Sequence, residues 1–108
     1  YDFFKEERLN FLISAFRFGW MNPWWAYVIE KDGTPSPMFS DAVSSRSQDL
    51  PETYCPSGAL WLADCVALRE SNTYYGPGFR LYPMDWKAAI DIDNQDDFDM
   101  ARAVSALM

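Results

Sequence analysis

The chain has 108 residues, nine Lys plus Arg against sixteen Asp plus Glu, no histidine and two cysteines, which describes one small domain or a piece of one, with a single modest core. Without histidine there are no His-based triads, imidazole general bases or His-containing zinc sites, and a net charge of −7 repels phosphodiester backbones and argues against a nucleic-acid partner. No apolar run approaches the roughly 18 residues of a membrane span, and the opening residues do not read as a signal peptide, so the expectation is a soluble, cytoplasmic protein.

In chain order, Leu9 to Phe16 is nearly continuously apolar, the pattern of a strand covered on both faces. Trp24 to Glu30 is a second candidate strand, followed by a turn signal at Lys31-Asp32-Gly33-Thr34. Pro35 to Pro51 is rich in Pro, Ser and Asp and reads as a long loop, of the kind that is functional or interfacial in compact domains. Gly58 to Leu62 predicts a buried strand, and Ala63 to Ser71 a short helix with Asp64 near its start. A loop from Tyr74 to Gly78 leads into a short strand, Phe79 to Met84. Ala88 to Asp93 predicts a further strand running into acidic residues. Asn94 is the expected N-cap of a last helix, with Asp96 and Asp97 in its first turn and Phe98, Ala101, Val104, Leu107 and Met108 along one face. Strands alternating with helices in this order imply an α/β layered fold with a mixed or mainly parallel sheet.

Three features could carry chemistry. On a strand, the carboxylates of Asp91-Ile92-Asp93 project to one face while Ile92 turns into the core. Two hard oxygen donors, completed by water and phosphate, suit Mg²⁺; the competing reading is a solvated acidic turn that stabilises the dipole of the following helix. An EF-hand is excluded, because Asp96 stands where the loop needs Gly and Arg102 where it needs Glu. The second feature is Arg46-Ser47-Gln48-Asp49-Leu50-Pro51, where Arg46 could hold a carboxylate bidentately and Gln48 offers a donor and an acceptor; a surface charge is the plainer reading of Arg46. The third is Tyr74-Tyr75 with Trp61, rings that could wall a sugar site or simply belong to the core. Cys55 and Cys65 are too few for a four-sulfur metal site and read as ordinary thiols, with a disulfide as the lesser alternative.

The succession Arg46-Ser47-Gln48-Asp49-Leu50-Pro51, Tyr54, Pro56-Ser57-Gly58-Ala59-Leu60-Trp61-Leu62, Asn72-Thr73-Tyr74-Tyr75 and Ala89-Ile90-Asp91-Ile92-Asp93-Asn94 with Asp97 resembles the acylneuraminate cytidylyltransferases, or CMP-sialic acid synthetases. That family carries an Arg/Gln-Leu-Pro loop, an Asn-Gly-Ala-Ile-Tyr strand, a paired-aromatic loop and an Asp-Ile-Asp-Thr motif. Ser57 and Trp61 depart from that pattern, replacing its Asn and its Tyr. The resemblance covers roughly residues 45 to 104. It implies a nucleotide-diphospho-sugar-transferase-like, Rossmann-like α/β fold, and transfer of CMP from CTP to a nonulosonic acid with release of pyrophosphate. It further implies Asp91 and Asp93 as the catalytic carboxylates that hold Mg²⁺, a sugar site lined by Trp61, Tyr74 and Tyr75 with Ser57 also binding substrate, and Arg46 and Gln48 near the sugar's polar groups. Residues 22–41 would correspond to the element through which the family forms homodimers. Members are about twice as long, and their Gly/Arg/Ser/Lys-rich CTP loop has no counterpart in these residues. The chain is therefore expected to be the C-terminal portion of a cytidylyltransferase domain, inactive alone, and an opening Tyr1 agrees with that expectation. The alternatives are a metal-dependent glycosyltransferase and a non-catalytic carbohydrate-binding or dimerisation module.

Overall fold

Five consecutive residues, Phe11 to Ala15, are buried, and this run is the middle of a sheet. The computed structural model describes all residues, Tyr1–Met108, as two compact units: Tyr1–Arg17 together with Tyr54–Met108, and Phe18–Thr53.

In the first unit, β1 (Phe11–Arg17) lies between β4 (Tyr54–Ala63), to which it is antiparallel, and β5 (Arg80–Met84), to which it is parallel. The three-stranded mixed sheet bears out the α/β expectation at that level. Phe11, Ile13 and Ala15 alternate onto one face, and Leu12 and Ser14 onto the other. Both sets are buried, which is why the sequence reads as one apolar run rather than as an alternation.

Ser14 is the polar exception within the run, and the pairing changes register around it. Phe11, Leu12 and Ile13 pair with Ala63, Leu62 and Trp61, whereas Ala15, Phe16 and Arg17 pair with Pro56, Cys55 and Tyr54. Ser14 alone therefore faces the stretch Ser57–Leu60, a large bulge in β4. Gly58 sits there at φ 73°, a left-handed conformation that a side chain would strain. Backbone groups displaced from the ladder need partners, and two buried hydroxyls supply them. The Leu60 N–H donates to Ser14 Oγ at 2.9 Å, Ser14 Oγ and Ser57 Oγ are 2.6 Å apart, and the Ala59 N–H donates to Ser57 Oγ at 3.3 Å. Ser57 Oγ also reaches Met84 Sδ on β5 at 4.0 Å, so the hydroxyl chain touches all three strands.

The helices follow from their ends. Helix α1 (Asp2–Glu6) is a single short turn whose Phe3 ring packs on Tyr82 of β5, with centroids 5.3 Å apart. Asp64 caps α2 (Cys65–Ser71), its carboxylate accepting from the N–H groups of Val66 and Ala67. Asn94 and Asp97 form a reciprocal capping box on α3 (Gln95–Ser105). On the predicted face of α3, Val104 is buried and Ala101 half-buried, while Phe98, Leu107 and Met108 are exposed. Cys55 and Cys65 are free thiols, half-buried and exposed respectively.

In the second unit the predicted strand Trp24–Glu30 divides. Pro23–Trp25 is a 3₁₀ turn capped by the Asn22 side chain, and only Tyr27–Ile29 forms a strand, β2. Its hairpin partner β3 (Pro35–Pro37) begins the segment expected to be all loop. Proline suits this position because it cannot donate to a central ladder. In the connecting turn the Thr34 N–H donates to Asp32 at 2.9 Å. That bond, first among its causes, holds the Asp32 carboxyl below its ordinary pKa. Its support of the turn is therefore full above the ordinary value and is lost as pH falls through the lowered one. The indoles of Trp24 and Trp25 donate to the carbonyls of Pro51 and Ala42, and Trp24 packs edge-on against Phe39, giving this unit its own small core.

Two expectations fail here. Ala88–Asp93 is not a strand: Trp86–Ala88 is a 3₁₀ turn capped by Asp85, and residues 89–94 are irregular. An apolar run becomes a strand only where a neighbour can pair with it, and the sheet ends at β5 and β4. Gly58–Leu62 does lie in a strand, but that strand is a sheet edge, and Leu60 and Trp61 are half exposed.

The hydroxyl chain should behave as one unit. Ser14→Ala is expected to cost about 1–3 kcal/mol by leaving the Leu60 N–H without its acceptor. In a urea-denaturation double-mutant cycle, adding Ser57→Ala should then cost less than it does alone. Fully additive losses would show that the two hydroxyls act independently.

Candidate functional site

The aromatic residues singled out in the sequence do come together. Trp61 stands on β4, and Tyr74 and Tyr75 on the loop between α2 and β5, with Trp61–Tyr74 centroids 5.1 Å apart and Trp61–Tyr75 6.3 Å, both edge-to-face. Phe79 joins the group, 5.4 Å from Tyr75, a member that reading it as a strand residue missed. Edge-to-face contacts fix the mutual orientation of the rings, and Trp61 and Tyr75 are both partly exposed to solvent. An apolar ring surface next to phenol hydroxyls suits a ligand with one apolar face and several hydroxyls, such as a sugar.

Local hydrogen bonds and one close packing contact hold that loop. Helix α2 ends at Asn72 in the left-handed conformation, which asparagine tolerates. The Ser71 hydroxyl donates to the Thr73 carbonyl at 2.9 Å, and the Tyr75 N–H donates to Thr73 Oγ1 at 3.1 Å. Gly76 is buried against Phe11, and a Cβ there would overlap the Phe11 ring. The sheet's central strand thus sets the height of the Tyr74–Tyr75 turn.

Asp91 and Asp93 lie in the irregular segment before α3, not on a strand, so strand alternation does not orient them. Ile92 is half exposed rather than turned into the core. Asp91 Oδ1 accepts from the Ile92 N–H at 3.1 Å. Asp97 Oδ2 accepts from the N–H groups of both Asp93 and Asn94, so its carboxylate is taken up in capping α3. Asp91 and Asp93 are exposed. No group of three or more His, Cys, Asp or Glu is placed to hold a metal. The donor chemistry of either carboxylate suits Mg²⁺, which keeps several waters and is commonly held by one or two carboxylates plus substrate phosphates.

Arg46 and Gln48 belong to the second unit. Arg46 Nε donates to Asp49 Oδ2 at 2.9 Å in an exposed ion pair around the 3₁₀ turn Ser47–Asp49, and Gln48 Oε1 accepts from the Ser47 hydroxyl at 3.5 Å. Ser57 is buried in the first unit with its hydroxyl engaged in the bulge. The structure also has a groove that the sequence pattern does not announce. It measures about 330 Å³, is largely apolar, and is lined by Leu12, Ser14, Leu60, Leu62, Tyr82 and Met84 together with the N-terminal turn. Because side chains alternate along β4, Leu60 and Leu62 open onto one face of the sheet and Trp61 onto the other.

No helix is long and apolar enough to cross a membrane. No protein-family model matches the chain.

Gly76→Ala should lower stability by about 1–3 kcal/mol, because the extra methyl forces Phe11 or the turn to move. It should also change the near-ultraviolet circular dichroism of the Trp61–Tyr74–Tyr75 group. An unchanged spectrum and midpoint would mean that the turn is not seated on Phe11.

Proposed function

We propose that this chain is the C-terminal portion of a cytidylyltransferase domain of the acylneuraminate cytidylyltransferase kind, with the nucleotide-diphospho-sugar-transferase-like fold of that family. The reaction is transfer of CMP from CTP to a nonulosonic acid. A sugar hydroxyl gives up its proton and bonds to the α-phosphorus, the bond from that phosphorus to the bridging oxygen breaks, and pyrophosphate leaves. The observation that carries the reading is the ordered succession of motifs from Arg46 to Asp97. It is supported by the meeting of Trp61 with Tyr74 and Tyr75, members of that succession separated in sequence, in one ring group. The mixed α/β sheet is compatible with it.

In this reading Trp61, Tyr74 and Tyr75 bind and orient the sugar by its apolar face, Ser57 holds the β4 bulge that carries Trp61, and Arg46 and Gln48, in the second unit, are the residues the resemblance assigns to the sugar's polar groups. Asp91 and Asp93 are the carboxylates that hold Mg²⁺. The bound ion supplies neutralisation of the charge on the triphosphate and on the departing pyrophosphate. An acidic chain acting on two anions needs such neutralisation. Residues 22–41 form the homodimer contact, a role supported by exposed Tyr27, Val28, Ile29 and Met38 on or beside the β2–β3 hairpin. The enzyme works in the cytoplasm, and the 108 residues alone turn over nothing because they contain no nucleotide cradle.

One observation favours a second reading. The carboxylate of Asp97 caps α3, as the acidic segment would if it served only the helix. The chain would then be a non-catalytic carbohydrate-binding module, and calorimetry would find sugar affinity independent of metal and nucleotide.

The test uses a protein in which these residues are joined to a CTP-binding segment. Pyrophosphate should appear only when Mg²⁺, CTP and a nine-carbon keto-sugar acid are all present. Asp93→Asn should lower turnover by about two orders of magnitude or more without changing the unfolding midpoint. Full activity in that variant would remove Asp93 from the metal site, and release of a nucleoside diphosphate from a nucleotide sugar would point to a glycosyltransferase.

A further inference from the structure

The groove of about 330 Å³ lies on the sheet face opposite Trp61, within the first unit. On β5, Tyr82 pairs with Ser14 and Met84 with Phe16, so alternation turns Tyr82 and Met84 to the same side as each other. The remaining wall is the N-terminal turn, Tyr1, Asp2 and Phe3. The Lys5 N–H donates to the Tyr1 carbonyl at 3.1 Å, and the Phe3 ring, tilted 57° to that of Tyr82 with centroids 5.3 Å apart, seats the turn on β5.

The groove therefore combines two kinds of surface. Leucine side chains and Met84 supply an apolar floor, and three aromatic rings, those of Tyr1, Phe3 and Tyr82, complete the lining. Its only charged side chain is that of Asp2, which has no ion-pair partner in the chain, and no Lys or Arg lines it. Ring faces carry the negative pole of the aromatic quadrupole and attract ammonium groups. An anionic ligand would meet Asp2 and a net charge of −7, whereas a cation is drawn by both. The turn makes this kind of contact once by itself, with Lys5 Nζ 5.5 Å from the centroid of the Tyr1 ring. The rings of Phe3 and Tyr82 receive no cation from the chain. Apart from Asp2 the lining offers few acceptors, which suits a nitrogen that has no hydrogen to donate. The volume stands at the lower end of the roughly 300–1,000 Å³ of small-ligand sites, so the occupant is small.

We propose that this groove binds a small quaternary alkylammonium compound, its nitrogen held by the Phe3 and Tyr82 rings and the Asp2 carboxylate and its short alkyl tail lying on the leucine floor. The site is on the other face of the sheet from the Trp61–Tyr74–Tyr75 group and does not depend on the proposed function.

Butyltrimethylammonium, titrated into the 108-residue chain with its amino terminus acetylated to remove the Tyr1 ammonium, should shift the methyl resonances of Leu60, Leu62 and Met84 to saturation. Hexanol, which has a similar tail and no charge, should bind about fivefold or more weakly, and hexanoate should not compete. Asp2→Asn should weaken the ammonium about threefold or more and leave hexanol unchanged. Tyr82→Leu, which keeps an apolar side chain and loses the ring, should also weaken the ammonium about threefold or more. If Tyr82→Leu does not fold, as judged by circular dichroism, Asp2→Asn decides. Hexanol binding as tightly as the ammonium, or an unchanged ammonium affinity in Asp2→Asn, overturns the proposal. So do shifts centred on Trp61 and Tyr74, which would put the cation on the opposite face.

Discussion

Two hydroxyls in contact at the centre of a small sheet set most of what is described above. The bulge in β4 shifts its pairing with β1, and such a shift normally strands backbone N–H groups inside the protein. Ser14 and Ser57 take up the Leu60 and Ala59 N–H groups and bond to each other at 2.6 Å. The bulge is thereby stable enough to keep Trp61 in register opposite Ile13 and to point it at the Tyr74–Tyr75 turn. If the hydroxyl chain were lost, the lower half of β4 could still pair, but the position of Trp61 would no longer be tied to that of Tyr54.

A second constraint works from the other side of the ring group. Phe11, on the same central strand, leaves room only for a glycine at position 76. β1 therefore positions Trp61 through its pairing with β4 and positions Tyr74 and Tyr75 through Gly76. The ring group, built from a strand and a loop, is thus held by one rigid element. The acidic segment has no such support. Its order comes from the α3 capping box next to it and from Asp91 Oδ1, which accepts from the Ile92 N–H, and both Asp91 and Asp93 are exposed.

Much of this was legible in the sequence where local chemistry decides. The apolar run of β1, Asp64 before α2, and Asn94 with Asp97 at the start of α3 each have one dominant local solution, and the structure adopts it. Pairing decided the rest, and pairing is not local. Ala88–Asp93 has strand-like composition, but no strand lies beside it, and the nearby Asp side chains bond to neighbouring N–H groups instead. The apolar run Gly58 to Leu62 reads as a buried strand, but whether a strand is covered depends on its neighbours, and here it is an edge. Ser14 was the missed signal: one hydroxyl inside an otherwise apolar run marks a buried acceptor that something must need. The ring group was readable as a set of residues, but its fourth member, Phe79, was visible only once the loop closed on β5.

The central claim is that Asp91 and Asp93 are the carboxylates that receive the divalent ion. Paramagnetic line broadening by Mn²⁺ in the presence of CTP tests it most directly, because it detects weak binding and needs no turnover. The account predicts broadening centred on the amides of Asp91 to Asn94 and reversed by excess Mg²⁺. Broadening centred instead on Asp96 and Asp99 along α3, or spread evenly over the acidic surface, would contradict it.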